Sequence, residues 1–184
     1  RTAKQAARSI AAGWLAGATP PGSLVLYAPL QDARREFPGQ ADPLRVTGCG
    51  CGKTHLVVSL AKQALDAGRD VKFTTETDLL RQIKRSYSDE AAPREADLLA
   101  ELALPWLAVL DDVGTADVKA VGWYQDLLYA IVNERYLSGR PILLTANLDE
   151  TDLAARLGPR TWSRLREMAV CLKLDGPDRR EMKG

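Results

Sequence analysis

The sequence predicts an α/β domain, a parallel sheet with helices on both faces, and three observations carry that prediction. Strand-length apolar runs alternate with amphipathic helical stretches from residue 23 to residue 174, the pattern of strands joined by crossover helices. The glycine-rich stretch TGCGCGKT at 47–54 stands directly before a helical pattern. The run WLAVL at 106–110 is apolar throughout and ends in Asp111-Asp112, which suits a strand buried on both faces with carboxylates at its C-terminal end.

At 184 residues the chain is long enough for one domain to bury a core without disulfides or metal. Its composition, 46% hydrophobic and 27% charged with a formal net charge of +1, is globular. It has no bulk charge to draw it to nucleic acid or membrane, so a nucleic-acid contact has to come from a local patch. Cys49, Cys51 and Cys171 are an odd set with two members inside the glycine-rich stretch, which points to a reduced, intracellular protein. The C-x-C pair has no second pair and His55 is the only histidine, so small side chains filling a loop explain the pair better than half a zinc site does. No stretch approaches the roughly 18 uninterrupted apolar residues of a membrane span, and no signal-peptide pattern opens the chain, so the expected location is cytoplasmic with no membrane partner. Residue 1 is Arg rather than Met, which suggests a fragment whose missing N-terminal segment would choose the protein partner.

Alanines and long polar residues at helical spacing predict a helix over 1–16, ended near Gly17 and Pro20-Pro21. SLVLYA at 23–28 reads as a buried strand. Residues 29–42 separate it from the glycine-rich loop, so the strand feeding that loop is expected at 44–46, with 29–42 as an insertion or hairpin arm. Apolar positions 56, 57, 60, 61, 64 and 65 predict a helix over 54–67, stopped at Gly68. Residues 71–75 form the next strand, 77–87 an amphipathic helix, and 94–104 a short helix closed by Pro105. After the strand at 106–110, the longest helix is expected over 117–138 with Gly139 as its cap. A strand at 141–145, helices at 150–157 and 160–168, and a strand at 169–174 complete the chain.

The chemistry gathers at C-terminal strand ends, where parallel sheets bind ligands. Thr47 to Thr54 reads as a nucleotide-binding P-loop, with Gly48, Cys49, Gly50, Cys51, Gly52, Lys53, Thr54 and His55 as the candidate ATP-binding set. Glycines at 48, 50 and 52 permit positive φ and close approach of backbone amides to phosphate, at the start of a helix. Lys53 would reach the β- and γ-phosphates and Thr54 would place its hydroxyl on Mg²⁺. Thr47 stands where the motif has its first glycine. Asp111 would hold Mg²⁺, and Asp112 would poise the attacking water. An Asp is one methylene shorter than Glu, so slow hydrolysis is expected. Asn147, after an apolar strand, can hydrogen-bond both γ-phosphate and water. Arg81, Lys84 and Arg85 follow at helical spacing with Tyr87 beside them. They fit either a solvated face or a grip on single-stranded DNA, in which Tyr87 stacks a base.

The order GCGCGKTHL, LAVLDDVG, YAIVNERYLSGRPILLTANL, LAARLGPRTWSRLREM resembles the AAA+ ATPases of the bacterial helicase-loader type, DnaC and DnaI, and the related IstB transposition helpers. The resemblance runs over about 44–181 and implies an AAA+ core there without a separate helical lid domain, with 1–43 as an N-terminal helix, extra strand and arm of the same domain. It implies that Asn147 is sensor 1, that Arg164 is an arginine finger reaching a neighbour's ATP, and that the GPDRR stretch at 176–180 carries the sensor 2 arginine, Arg180 ahead of Arg179. Without the resemblance, Arg160, Arg164 and Arg166 fit a solvated helix face. The implied protein is an ATPase that assembles with ATP, grips single-stranded DNA, and acts on a replicative helicase or, in the IstB reading, a transposase. A small-molecule P-loop kinase would share the phosphate loop, but neither an arginine-rich lid nor an acceptor pocket is legible in this chain.

Overall fold

The computed structural model describes residues 3–16, 22–28, 31–32, 46–47 and 50–174. Helix α1 (Ala3–Leu15) leads to strand β1 (Ser23–Tyr27), and a short pair, β2 (Gln31–Asp32) and β3 (Val46–Thr47), precedes α2 (Lys53–Asp66). There follow β4 (Val71–Thr75), α3 (Glu76–Ser86), α4 (Glu95–Ala103), β5 (Leu107–Val113), α5 (Val121–Ser138), β6 (Ile142–Ala146), α6 (Glu150–Leu157), α7 (Pro159–Met168) and β7 (Ala169–Lys173). Five strands form one parallel sheet in the order β4-β5-β6-β1-β7.

Side-chain alternation explains the two layers. In β1, Leu24 and Leu26 face α1 and α2, where they join Ala7, Ile10, Trp14, Val57, Leu60 and Ala64. Val25 and Tyr27 face the opposite layer, built from α3 to α7 around Leu79, Leu98, Leu128, Ile131, Leu153 and Leu165. With both faces covered, β1, β5 and β6 have nearly continuous apolar sequences, as buried parallel strands require.

Two expectations need correction. In the five-stranded sheet the place between β6 and β7 is held by β1, and no strand at 44–46 enters that sheet among the described residues. Residues 44 and 45 lie outside the described residues, while Val46–Thr47 pairs antiparallel with Gln31–Asp32. Pairing of Gln31 with Thr47 and of Asp32 with Val46 brings the two ends of the intervening stretch together. The long helix begins at Val121 rather than 117, because the preceding backbone is strapped elsewhere: the amides of Gly114 and Ala116 bond the Glu76 carboxylate.

Helix ends follow local chemistry. The Thr75 hydroxyl caps α3 by accepting from the Asp78 amide at 3.1 Å, and Gly139, at φ 64°, closes α5 as expected. Arg135, on the last turn of α5, is fully buried and donates only to carbonyls: those of Leu102, Ala103 and Pro105 from Nη1, Trp106 from Nη2, and Pro141 from Nε. It caps α4 and ties the starts of β5 and β6. Burial, then the Arg140 charge, lowers its pKa, yet each of its three nitrogens has a carbonyl partner.

Replacing Arg135 with Met keeps an unbranched apolar stem and removes every donor. Arg135→Met should lower unfolding free energy by at least about 3 kcal/mol, read from urea denaturation midpoints, because the carbonyls are left buried and unpaired. A loss under about 1 kcal/mol would show that the carbonyls find other partners.

Candidate functional site

The glycine-rich turn enters α2 through Gly50 at φ 67° and Gly52 at φ 94°. Nothing lies within 4 Å of a Cβ built on Gly52, so its backbone angle, not crowding, calls for glycine. Lys53 opens the helix with its side chain buried and Nζ 3.6 Å from Cys51 Sγ. Thr54 Oγ1 donates to Asp111 Oδ1 at 3.2 Å, joining the helix start to the end of β5. His55 is exposed on the first turn. Gly48 and Cys49 lie outside the described residues.

The Asp111-Asp112 pair sits on a register shift between β5 and β6, where Leu110 pairs with Leu144 but Val113 pairs with Ala146. Two residues thus oppose Thr145 alone, an irregularity that re-aims side chains. Thr145 serves both: its hydroxyl donates to Asp111 Oδ1 at 2.5 Å and accepts from the Asp112 amide at 2.9 Å. Asp112 takes φ 59°, the one non-glycine residue with positive φ among the described residues. Asn147 Nδ2 then donates to Asp112 Oδ1 at 2.9 Å. Lys53, Thr54, Asp111, Asp112 and Asn147 are thereby brought to one end of the sheet.

Thr54 and Asp111 supply oxygens of the kind a hard cation prefers. Among the described residues no group of three or more His, Cys, Asp or Glu could hold a metal. That donor set fits a cation bound by one hydroxyl, one carboxylate and phosphate oxygens rather than an all-protein cage.

Behind the cluster lies a network the sequence did not disclose. Glu76, fully buried, accepts from the amides of Gly114 at 3.1 Å and Ala116 at 2.9 Å, from Arg156 Nη2 at 3.0 Å, and from the Tyr124 hydroxyl. Arg156 Cζ stands 4.5 Å from the Tyr124 ring centre and Nη2 also donates to the Ala116 carbonyl. Burial and then the Glu76 charge push the Tyr124 hydroxyl far above the ordinary tyrosine range. For Arg156, burial works to lower the pKa, but the Tyr124 hydrogen bond and Glu76 outweigh it. Gly114, at φ 95°, completes the packing: a Cβ there would come 2.5 Å from Leu148 Cδ1. Thr145 did have a signal, a lone hydroxyl inside an apolar strand. Glu76 looked like any acid in a helix first turn.

Other candidates stand apart. Arg164 lies on α7, its Nε bonded to Asn133 Oδ1 at 2.7 Å and its guanidinium near the Tyr129 and Tyr136 rings, outside the cluster. Arg179 and Arg180 lie outside the described residues. On α3, Arg81 pairs with Asp78 and Arg85 with Asp89, each at 2.9 Å, and the exposed Tyr87 bonds Glu95. Burial pushes the Cys171 thiol up to about 11, which makes it a poor nucleophile at neutral pH. No helix among the described residues is long and apolar enough to cross a membrane.

Comparison with known proteins bears on this arrangement. The sequence model of the family described as IstB-like ATP binding protein matches residues 37–162. The replicative helicase loader DnaC of Escherichia coli is 28% identical over 118 residues, 64% of this chain and 46% of that protein. A protein of Mycobacterium tuberculosis, described as ATP-binding and carried in an insertion sequence, is 28% identical over 98 residues, 53% of this chain and 37% of its own length. The chain thus spans less than half the length of these relatives. Among solved structures, DnaI superposes with a TM-score of 0.69 at 20% identity, covering 97% of this chain and 85% of that one. The DnaC helicase loader superposes at 0.67 with 23% identity, covering 95% and 92%. The shared fold is that of AAA+ P-loop ATPases, and no separate lid is present among the described residues. Because the family match covers the glycine-rich turn, the Asp111-Asp112 strand end and Asn147, the residues brought together here, this chain belongs to the family of IstB-like ATP-binding proteins.

Proposed function

We propose that this protein is a DNA-associated AAA+ ATPase that assembles on Mg²⁺–ATP and loads or remodels a partner, a replicative helicase. The observation that carries the reading is the Thr54–Asp111–Thr145 hydroxyl–carboxylate contact beside Lys53, with Asp112 and Asn147 bonded next to it. Lys53 holds the β- and γ-phosphates, and the backbone amides at the start of α2 receive the remaining oxygens. Thr54 and Asp111 hold Mg²⁺, which offsets the charge that develops on the phosphate oxygens. Asn147 has a second amide hydrogen beyond the one given to Asp112, and that hydrogen is available to γ-phosphate. Asp112 orients water, and its short side chain supports slow turnover. Arg164 supplies the transition-state charge from a second copy, since its partners within one chain are Asn133, Tyr129 and Tyr136. Arg180 is proposed as the sensor 2 arginine.

DnaC relatives match over more of this chain than the insertion-sequence relative does, which supports the loader reading. The family match and that relative support a second one, an IstB-type transposition helper. A pull-down with the full-length protein, scored for a replicative helicase against a transposase, separates the two. Single-stranded DNA is proposed to bind along α3. Arg81 and Arg85 make exposed ion pairs with Asp78 and Asp89, weak enough in water for phosphates to replace, and Tyr87 is 62% exposed, open to a base.

Lys53→Ala should abolish binding of a fluorescent ATP analogue, whereas Arg164→Ala should bind it as wild type does but lose about 10³-fold or more in stimulated turnover. Mixing Arg164→Ala with Asp112→Asn protein should restore activity, since one lends its finger to the other's intact site. No restoration would remove Arg164 from its proposed role. Reversing charge at Lys84 and Arg85 together should weaken oligonucleotide binding and flatten its salt dependence, measured by anisotropy at two salt concentrations with ATP analogue present. An unchanged affinity and slope would move the DNA site off this helix.

A further inference from the structure

Helix α5 carries a stripe at spacings of three, four and three residues, Asp126, Tyr129, Asn133 and Tyr136, and α7 lays Arg160, Arg164 and Glu167 along it. The contacts are specific. Arg160 Cζ stands 3.7 Å from the Tyr129 ring centre, with Nη1 3.9 Å from Asp126. Arg164 Cζ lies 4.9 Å from the Tyr129 centre and 5.5 Å from the Tyr136 centre, and Tyr136 is itself fixed by its hydroxyl on Glu167 at 2.6 Å. The hydrogen bond to Asn133 uses Arg164 Nε, the inner nitrogen of the guanidinium. Among the described residues, neither Nη1 nor Nη2 of Arg164 has a hydrogen-bond partner. A guanidinium held by Nε, with aromatic rings beside it, offers its outer pair of N–H groups, and a phosphate oxygen pair accepts such a fork best.

We propose that Asn133 is a positioning residue for Arg164: its side-chain carbonyl fixes the guanidinium so that Nη1 and Nη2 project toward the nucleotide of a neighbouring copy. This rests on the reading of Arg164 as a finger acting in trans. The ring contacts limit tilt, while the 2.7 Å bond sets rotation about the last side-chain torsions. An arginine loose by 1 Å loses rate because positioning errors of that size can cost about 100-fold.

The test uses Asn133→Leu, which keeps the branched shape and removes the acceptor, Asn133→Ala, which truncates the amide, and Asn133→Asp, which keeps an acceptor at the same place. Each is first checked for wild-type thermal unfolding. Asn133→Leu and Asn133→Ala should bind ATP analogue within about twofold of wild type, keep KM, and lose about 10- to 100-fold in stimulated kcat, while Asn133→Asp retains turnover. Asn133→Leu added to Arg164→Ala should cause no further loss, since the finger it positions is already gone. Mixing Asn133→Leu with Asp112→Asn protein should restore turnover, because the intact finger then comes from the other chain. Wild-type kcat in both Asn133→Leu and Asn133→Ala, while Arg164→Ala abolishes turnover, overturns the role of Asn133 and leaves the finger standing. So does a further loss in the double variant, or failure of Asp112→Asn to rescue Asn133→Leu while it rescues Arg164→Ala. Full turnover in Arg164→Ala overturns the finger itself, and the positioning role falls with it.

Discussion

The buried carboxylate of Glu76 is the interaction on which the working end of the sheet depends. An isolated carboxylate at zero exposure would cost several kcal/mol, and here two amides, a tyrosine hydroxyl and a guanidinium replace its lost water. Those donors come from three places in the chain: the turn after β5 gives two amides, α5 gives Tyr124 and α6 gives Arg156, while the acceptor, Glu76, starts α3. One charge therefore fixes where the edge strand, the loop after Asp112 and the helix after Asn147 lie relative to one another. Removing either partner would strand the other charge in the core.

With its exit pinned in this way, β5 can afford an irregular end. Asp112 takes a left-handed backbone, a conformation that costs about 1 kcal/mol for most side chains and less for Asp. The register shift against β6 places Asp111 and Asp112 around one hydroxyl, that of Thr145. Two neighbouring carboxylates are thus separated in task. Asp111 turns toward the start of α2 and Thr54, and Asp112 turns toward Asn147. A regular strand would have sent the two to opposite faces of the sheet.

Alternation of apolar runs and helical stretches made the sheet and its layers legible, and the Gly-Lys-Thr end with the Asp-Asp strand end located the cluster. What escaped was non-local. The rule that a strand must run straight into its phosphate loop put a strand at 44–46, since no local pattern says that Val46–Thr47 will pair with Gln31–Asp32 outside the main sheet. The start of α5 was set too early because residues 114–116 are held by Glu76, forty positions away at the furthest. The basic run on α3 read as a solvated face or a grip on single-stranded DNA, and only the structure pairs Arg81 and Arg85 with Asp78 and Asp89. The stripe of Tyr129, Asn133 and Tyr136 carried a helical spacing in plain sight, but spacing does not reveal which face meets α7.

The cluster at the strand ends and Arg164, held on the flank by α5, stand apart within one chain, and on the proposed function two copies are needed to make one hydrolytic centre. The most direct measurement of that claim is ATP turnover per protomer across a hundredfold dilution in Mg²⁺, with the sedimentation coefficient followed in the same samples. Turnover per protomer should fall on dilution in step with loss of the assembled species. Constant turnover per protomer in a protein that sediments as a monomer throughout would contradict a centre shared between copies.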